Sequence, residues 1–443
     1  MNKKIDECVI ILIFLDDAIM NSYPKKLFVE PTTRCNFNCA MCVKQASDNG
    51  IEEGDLNMER FQSLIPVFGH LEKLILTGIG EPLLHPGLEQ FIALAREHLL
   101  VDSQIGLQTN GAHLTSARTM SLAQAGLDEV CISIDSISPD MFQQIRNSGQ
   151  VEDILGAMEA VNSTRSKAGK QLHLGIEFVL MKQNLAELPQ VIKWAADRGA
   201  SFAVVTHVLA YEKQMEAQRV YNPNLSESRE LFQKYIKKAA VEGLDFVDYL
   251  SHRWKYHCKY LRTPTDQALV DLGNEMINES SASGIPLHLR NLSSEDTETL
   301  ETAMDVFETT RKIANERGLS LRLPELLPQL DRHCQFIEED ASFVTWKGTV
   351  HPCYFLWHQY ACHQNKQKQH VSALSFGELD QQGLLDIWES DAYVNFREKV
   401  VQYKYPHCTN CNLNMCNMVS SRKFEYDCYT IDVPCGSCPW PLG

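Results

Sequence analysis

The sequence has no run of about 18 apolar residues, roughly what a helix needs to cross a bilayer. Its nearest approach is ECVIILIFLDD at residues 7–17, an apolar stretch that is too short and is flanked by acidic residues at both ends. No small-x-small cleavage pattern follows, so no secretory signal is expected. The stretch reads as a buried N-terminal segment, or as the result of a start codon set too early. Positive charge is also scarce: 41 Lys and Arg stand against 57 Asp and Glu, a formal charge of −16. That balance disfavours non-specific nucleic-acid binding, in which cations must release counterions from phosphates. The one locally basic stretch, TRSKAGK at 164–170, reads as a solvated helix end. Repeats and low-complexity tracts are missing too. A globular chain of 443 residues remains, long enough for two or three cores, with no membrane or nucleic-acid partner expected.

What the chain has in excess is cysteine, fifteen of them. An odd count without a signal argues against a disulfide framework. It points to a reducing cytoplasm, where clustered thiols bind metal. Three stand together in RCNFNCAMC, residues 34–42: Cys35, Cys39 and Cys42, spaced C-x3-C-x2-C. A structural zinc site is normally closed by four ligands. A 4Fe–4S cluster held by three thiolates leaves one iron without a protein ligand, open to a cofactor or substrate. By spacing alone, the triad could equally be part of a zinc site completed from elsewhere in the chain.

Between Leu27 and Val208 short β-rich runs alternate with helical patterns. The runs are KLFVEPT (26–32), KLILTGIG (73–80), IGLQTNG (105–111), EVCISID (129–135), LHLGIEFVLM (172–181) and SFAVVTHV (201–208). Several are rich in Ile, Val and Leu with little alternation, as strands buried on both faces should be. Strand–helix repeats predict right-handed βα units and a parallel sheet or barrel, with chemistry at the C-terminal strand ends. The cysteine triad, GIGEP, TNG and SID all fall there. From Tyr211 to Gly318 helical patterns take over, and Leu300, Met304, Phe307 and Ala314 form a stripe that reads as core packing. LSLRLPEL (319–326) reads as a returning strand. Beyond Cys334 the chain is loop-rich, and FVTWKGTVHPC predicts a hairpin that ends at Cys353.

The C-x3-C-x2-C spacing after a first strand resembles the signature of the radical S-adenosylmethionine (SAM) superfamily. GIGEP is similar to that family's GGEP motif after the second strand, and TNG and SID resemble positions after the third and fourth. The resemblance implies a SAM-binding 4Fe–4S cluster on Cys35, Cys39 and Cys42. It also implies SAM contacts from Gly78, Gly80, Glu81, Asn110, Ser133, Asp135 and Arg146. Glu81 and nearby backbone would meet the methionine amino group, with the glycines allowing close approach. Arg146 would pair with the carboxylate, which a guanidinium fork suits. The residue before the third cysteine is usually aromatic in this family; here it is Met41. By the same resemblance, an external donor such as flavodoxin or ferredoxin supplies an electron. SAM is then cleaved to methionine and a 5′-deoxyadenosyl radical, which takes a hydrogen from the substrate.

C-x13-G-x4-C from Cys334 through Gly348 to Cys353 resembles the start of a SPASM domain, an auxiliary iron–sulfur extension of such enzymes. Cys408, Cys411, Cys416, Cys428, Cys435 and Cys438 bring the thiols to eight, enough for two auxiliary 4Fe–4S clusters. Their spacing departs from the usual SPASM pattern, so the sharing of ligands stays open, as does one cluster plus a zinc site. The fold expected is α/β: a partial (β/α)6 TIM-like barrel over 26–210, a mainly helical insertion over 211–326 and a SPASM-type domain over 327–443, after an extension over 1–25. Cys131 reads as a small buried apolar residue, Cys8, Cys258 and Cys362 as incidental, and His85, His351 and His358 as structural. Tyr354 stands where sulfatase-maturing relatives carry a carboxylate and reads as packing, with radical or proton transfer as the other role. The substrate expected is a peptide or protein, the closest resemblance being to metalloenzyme maturases. With only 34 residues before the triad, a leader-binding domain upstream is not expected. A small-molecule or cofactor-precursor substrate is the alternative. A non-catalytic electron carrier or scaffold is the reading from another class.

Overall fold

The computed structural model describes residues 21–168, 172–247, 259–329, 332–364, 367–408, 411, 416 and 421–438. The apolar N-terminal stretch with Cys8, and also Cys258, lie outside the described residues. Six strands follow the expected runs: β1 Lys26–Val29, β2 Lys73–Leu76, β3 Gln104–Thr109, β4 Glu129–Ser133, β5 His173–Leu180 and β6 Phe202–His207. Each pairs in parallel with the next, in the order β1-β2-β3-β4-β5-β6. β7, Ser320–Arg322, pairs in parallel with β6 and is the returning strand.

The predicted hairpin forms from β8, Ala341–Val344, and β9, Thr349–His351, around Gly348 in the left-handed region at φ 81°. It does not make a separate sheet. β8 pairs in parallel with β1, Lys26 opposite Ala341, so the cysteine-rich part of the chain continues the barrel sheet. β10, Tyr360–Gln364, and β11, Gln367–Val371, form a separate hairpin, and β12, Gly377–Glu378, pairs with β9.

Period-2 geometry divides the barrel strands. Leu27, Val29, Leu74, Leu76, Ile105, Leu107, Val130 and Ile132 are buried in one core with Leu88, Phe91 and Ile92 of the Leu88–His98 helix and Ile154 and Val161 of the Val151–Ala168 helix. Each such side chain contributes about 1.5–3 kcal/mol on burial. The other face is not uniformly apolar, contrary to the two-sided burial expected. Phe28, Ile75, Gln108, Cys131, Glu177 and Val204 line an internal cavity. Cys131 therefore faces this cavity rather than an apolar core, because its neighbours Val130 and Ile132 take the outer face.

The helices after β6 fall into two groups. Ser226–Val241 and Pro264–Ser283 bring Leu231, Phe232, Tyr235, Leu269, Leu272 and Met276 into a small core of their own. Thr263 and Asp266 form a capping box that starts the second of these helices. The Thr297–Arg317 helix instead joins the barrel core through Leu300, Ala303, Phe307 and Ala314 and leads into β7. Met304 of the predicted stripe is 53% exposed, because Ala303 takes the buried position. Among the described residues, no helix is long and apolar enough to cross a membrane.

Candidate functional site

The cysteine loop begins where β1 ends and is pinned on both sides. Thr33 N–H donates to Gly54 O at 3.1 Å, Gly54 N–H returns to Thr33 Oγ1 at 2.9 Å, and Thr32 Oγ1 donates to Asp55 at 2.7 Å. Cys42 N–H closes a turn onto Cys39 O at 3.0 Å, and Ala40 N–H donates to Ile145 O of the Pro139–Arg146 helix at 2.8 Å. Backbone N–H groups already face the sulfurs: Phe37 N–H donates to Cys35 Sγ at 3.4 Å, and Lys44 N–H to the Cys42 sulfur. Burial pushes all three thiols up, Cys39 to about 11 with Arg146 pulling back. Such thiols hold their protons until a metal displaces them.

Glu81 is fully buried. It accepts hydrogen bonds from Leu83 N–H at 3.0 Å, Thr109 Oγ1 at 2.7 Å and Asn110 N–H at 2.7 Å. Burial raises its pKa and these donors oppose the rise. The carboxylate thus fastens the end of β2 to TNG at the end of β3, leaving one acceptor position on Oε2. Asn110 Nδ2 donates to Asn36 Oδ1 at 2.8 Å and lies 4.0 Å from Cys35 Sγ, which brings TNG against the triad.

The glycines of GIGEP permit a close approach, but by the protein itself. A Cβ on Gly80 would lie 2.3 Å from Thr32 O and 2.5 Å from Arg34 O, and one on Gly78 would lie 2.5 Å from Glu30 Cγ. Their first role is to let the β2 loop pack on the cysteine loop.

Asp135 and Arg146 form an ion pair, Oδ2 to Nε at 2.7 Å, and both are buried. Asp135 Oδ1 accepts Val179 N–H at 2.8 Å, so both its oxygens are engaged. Burial works against the arginine's charge, but Asp135 and Cys39 outweigh it and raise its pKa. No protein partner is seen for its two Nη groups among the described residues. Ser133 Oγ lies 3.5 Å from Glu177 Oε2. Met41 packs beside Ile145, Met181, Val208 and Met215.

Sequence reasoning missed several residues of this site. Glu30, at the end of β1, is fully buried. It accepts Ile79 N–H at 3.1 Å and faces His358 Nε2 at 3.1 and 3.2 Å. His358 therefore borders the cavity, whereas His85 and His351 bond backbone carbonyls at 2.9 and 2.8 Å, as structural residues do. Thr77, Gln108, Glu177 and Tyr354 line the same cavity of about 470 Å³. One signal was available: Glu177 is the lone carboxylate inside the apolar run LHLGIEFVLM, and period 2 sets it opposite the core face.

The distal cysteines sort into two sets. Cys334, Cys353, Cys435 and Cys438 line one cavity of about 300 Å³, while Cys362 is buried in β10 outside it. Burial pushes Cys334 to about 11 and Cys353 to about 12, and carries Cys435 well upward with neighbouring Cys334, Cys438 and Cys353 adding to the rise. Burial, with Cys416, Cys411 and Cys428 adding to the rise, pushes Cys408 up to about 12. Tyr405 Oη and Gln369 Oε1, on residues lining the first cavity, are buried without a hydrogen-bond partner among the described residues, as groups facing a bound cofactor would be. Among the described residues, no three Cys, His, Asp or Glu side chains are drawn in to the spacing of a single metal ion.

Three thiols on a pinned loop at the strand ends, and a four-thiol cavity beyond, fit iron–sulfur clusters. Fold and site together define a partial-barrel α/β enzyme of the iron–sulfur class. Residues 29–195 match the radical SAM superfamily and residues 334–412 the SPASM iron–sulfur cluster-binding domain. Residues 29–195 thus form a radical SAM domain, followed by a SPASM domain. The chain is an enzyme whose barrel takes SAM and a 4Fe–4S cluster and whose C-terminal domain takes auxiliary iron–sulfur clusters.

Among its relatives is the tungsten-containing aldehyde ferredoxin oxidoreductase cofactor-modifying protein of Pyrococcus furiosus, 25% identical over 94% of this chain and 95% of that one. GTP 3′,8-cyclase of Brucella canis is 30% identical over 44% of this chain and 56% of that one. Among solved structures, anSMEcpe with bound AdoMet aligns at a TM-score of 0.50 and 15% identity, over 94% of this chain and 91% of that one. Streptococcus suis SuiB bound to S-adenosylmethionine aligns at 0.49 and 12%, over 85% and 68%.

Proposed function

We propose that this enzyme is a maturase, acting in the assembly of a metalloenzyme by abstracting hydrogen from a group on a partner peptide or protein. The observation that carries this reading is the relative that spans nearly the whole chain and is named for modifying the cofactor of a tungsten enzyme. In this reading Cys35, Cys39 and Cys42 hold the SAM-binding cluster. Gly78, Gly80, Glu81, Asn110, Ser133, Asp135 and Arg146 surround SAM. When bound, the cluster and SAM would supply 5′-deoxyadenosyl radical chemistry, given one electron from an external flavodoxin- or ferredoxin-type donor.

The chain's own residues do the rest. Glu81 locks two strand ends together, and Arg146, held by Asp135, offers its Nη fork to a carboxylate. Phe336, Tyr354, Phe355 and Trp357 wall the cavity with aromatic surface that keeps water from a reactive radical. Cys334, Cys353, Cys435 and Cys438 form one auxiliary site, and Cys408, Cys411, Cys416 and Cys428 the other. A reducing cytoplasm suits this thiol load.

A second reading, a small cofactor precursor as substrate, is favoured by the likeness to GTP 3′,8-cyclase. The test incubates reduced, reconstituted enzyme and SAM with either a tungsten-containing aldehyde ferredoxin oxidoreductase or GTP, and follows both by mass spectrometry. A SAM-dependent mass change on the oxidoreductase supports the maturase. A change on GTP alone moves the assignment to the small molecule.

A further inference from the structure

Four acidic side chains surround the barrel's working end, and three are already committed. Glu30 is shared between Ile79 N–H and His358, Glu81 holds three donors, and Asp135 is taken up by Arg146 and Val179 N–H. Glu177 differs. Gln108 Nε2 and Ser133 Oγ both donate to its Oε2, and no protein hydrogen bond reaches Oε1 among the described residues. The residue lines the central cavity together with Phe336, Tyr354, Phe355 and Trp357 of the cysteine-rich part of the chain.

Its orientation is set by a belt of hydrogen bonds across the lumen. Thr77 Oγ1 donates to Gln108 Oε1 at 3.0 Å, which turns the amide so that its N–H faces Glu177. Tyr354 lines the same cavity as Thr77 and follows Cys353, which lines the auxiliary cavity. The charged and titratable groups facing Glu177 are Asp135 and Arg146 from one side, and Cys131 and Tyr354 from the other.

We propose that Glu177 is the catalytic proton acceptor of this enzyme. Its Oε1 takes the proton from a hydroxyl, thiol or ammonium of the substrate, on or next to the carbon that loses hydrogen. The bond broken is substrate X–H and the bond formed is Oε1–H; the electron pair of X–H stays on the substrate. Gln108 and Thr77 are positioning residues. The proposal rests on the radical-enzyme reading but not on which substrate is correct. Burial pushes the Glu177 carboxyl up to about 7, which Arg146 opposes and Asp135 reinforces. A carboxyl there can accept and release a proton near neutrality.

The first test needs only protons as the probe. Infrared difference spectra of the reconstituted enzyme with SAM are recorded from about pH 5.5 to 8.5, a window bracketing neutrality. One carboxyl band should convert to carboxylate near neutral pH, vanish in Glu177→Gln and persist, shifted, in Glu177→Asp. A band that survives in Glu177→Gln, or a carboxylate already ionised at the acid end, overturns the proposal. If Glu177→Gln does not fold, the Glu177→Asp shift carries the decision, and an unshifted band overturns it.

The second test uses whichever partner is modified in the maturation assay. Glu177→Gln should lower product formed per SAM cleaved about a hundredfold and flatten the neutral limb of the pH profile, as loss of a general base does. Product per SAM at the wild-type level overturns the proposal. Failure of the wild-type protein to cleave SAM would sink the radical-enzyme reading instead, while the infrared titration would still stand.

Discussion

The two cysteine regions of this chain solve different problems. The triad sits on one nine-residue loop, pinned to the Gly54–Asp55 turn, GIGEP and the Pro139–Arg146 helix. It gathers three thiols, and its neighbours come from strand ends, one turn and one helix. The distal cysteines are spread over residues 334–438; Cys334, Cys353, Cys435 and Cys438 line one cavity, and Cys408 lies within electrostatic reach of Cys411, Cys416 and Cys428. Three thiols leave an iron open for chemistry, while four close a cluster for electron transfer or structure. The number of local ligands therefore separates a reactive site from a closed one before any cofactor is considered.

That contrast breaks first if the distal sets are miscounted. Cys334→Ala with Cys435→Ala should remove about four of roughly twelve irons, and Cys408→Ala with Cys411→Ala a different four, as two four-thiolate sites require. Iron and sulfide analysis with Mössbauer spectra reads this. Loss of eight irons from either pair would mean that the sets are shared.

The next test falls on the triad's footing. Gly80→Ala places a methyl group against two backbone carbonyls that cannot rotate away, so it should cost about 3 kcal/mol. Chemical denaturation measures it. A loss under about 1 kcal/mol would show that the loop yields, as a tolerant site does.

Glu177 sharpens the comparison through pH. Its folded pKa is raised, so its contribution to stability is present below the unfolded value near 4.5 and is lost as pH rises through about 7. Glu177→Gln should therefore become more stable than wild type across that window, by about 2 kcal/mol. Denaturation curves at pH 5 and pH 8 would detect it, and an unchanged difference would contradict the cavity's electrostatics.

The smallest effect belongs to the distal domain. If the unpartnered Tyr405 hydroxyl donates to an auxiliary cluster, Tyr405→Phe should lower that cluster's potential by about 40 mV, the size of one lost hydrogen bond near 1 kcal/mol. A redox titration followed by electron paramagnetic resonance reads the shift, and no change would detach Tyr405 from the cluster.

The barrel was legible in sequence because its outer face repeats: Leu74 and Leu76, Val130 and Ile132, Leu174 and Ile176 recur at period 2 beneath amphipathic helices. The triad and GIGEP were legible because a local motif carries their chemistry. The inner face was not, since Glu30, Gln108, Glu177 and Tyr354 meet only through strand register and through β8 pairing with β1. Cys131 was misjudged for the same reason: a single residue does not declare which face of a strand it occupies. The Leu300–Phe307–Ala314 stripe of the Thr297–Arg317 helix was legible as packing, but a stripe does not say which core it joins, and here it is the barrel's.

The most direct test of the central division is SAM cleavage by the anaerobically reconstituted, reduced protein, followed as 5′-deoxyadenosine. Wild type should form it, Cys39→Ser should form none above background, and the Cys334→Ala, Cys435→Ala pair should still cleave SAM. Cleavage that survives in Cys39→Ser, or that is abolished equally by the distal pair, would contradict a reactive three-thiol site distinct from the closed four-thiol ones.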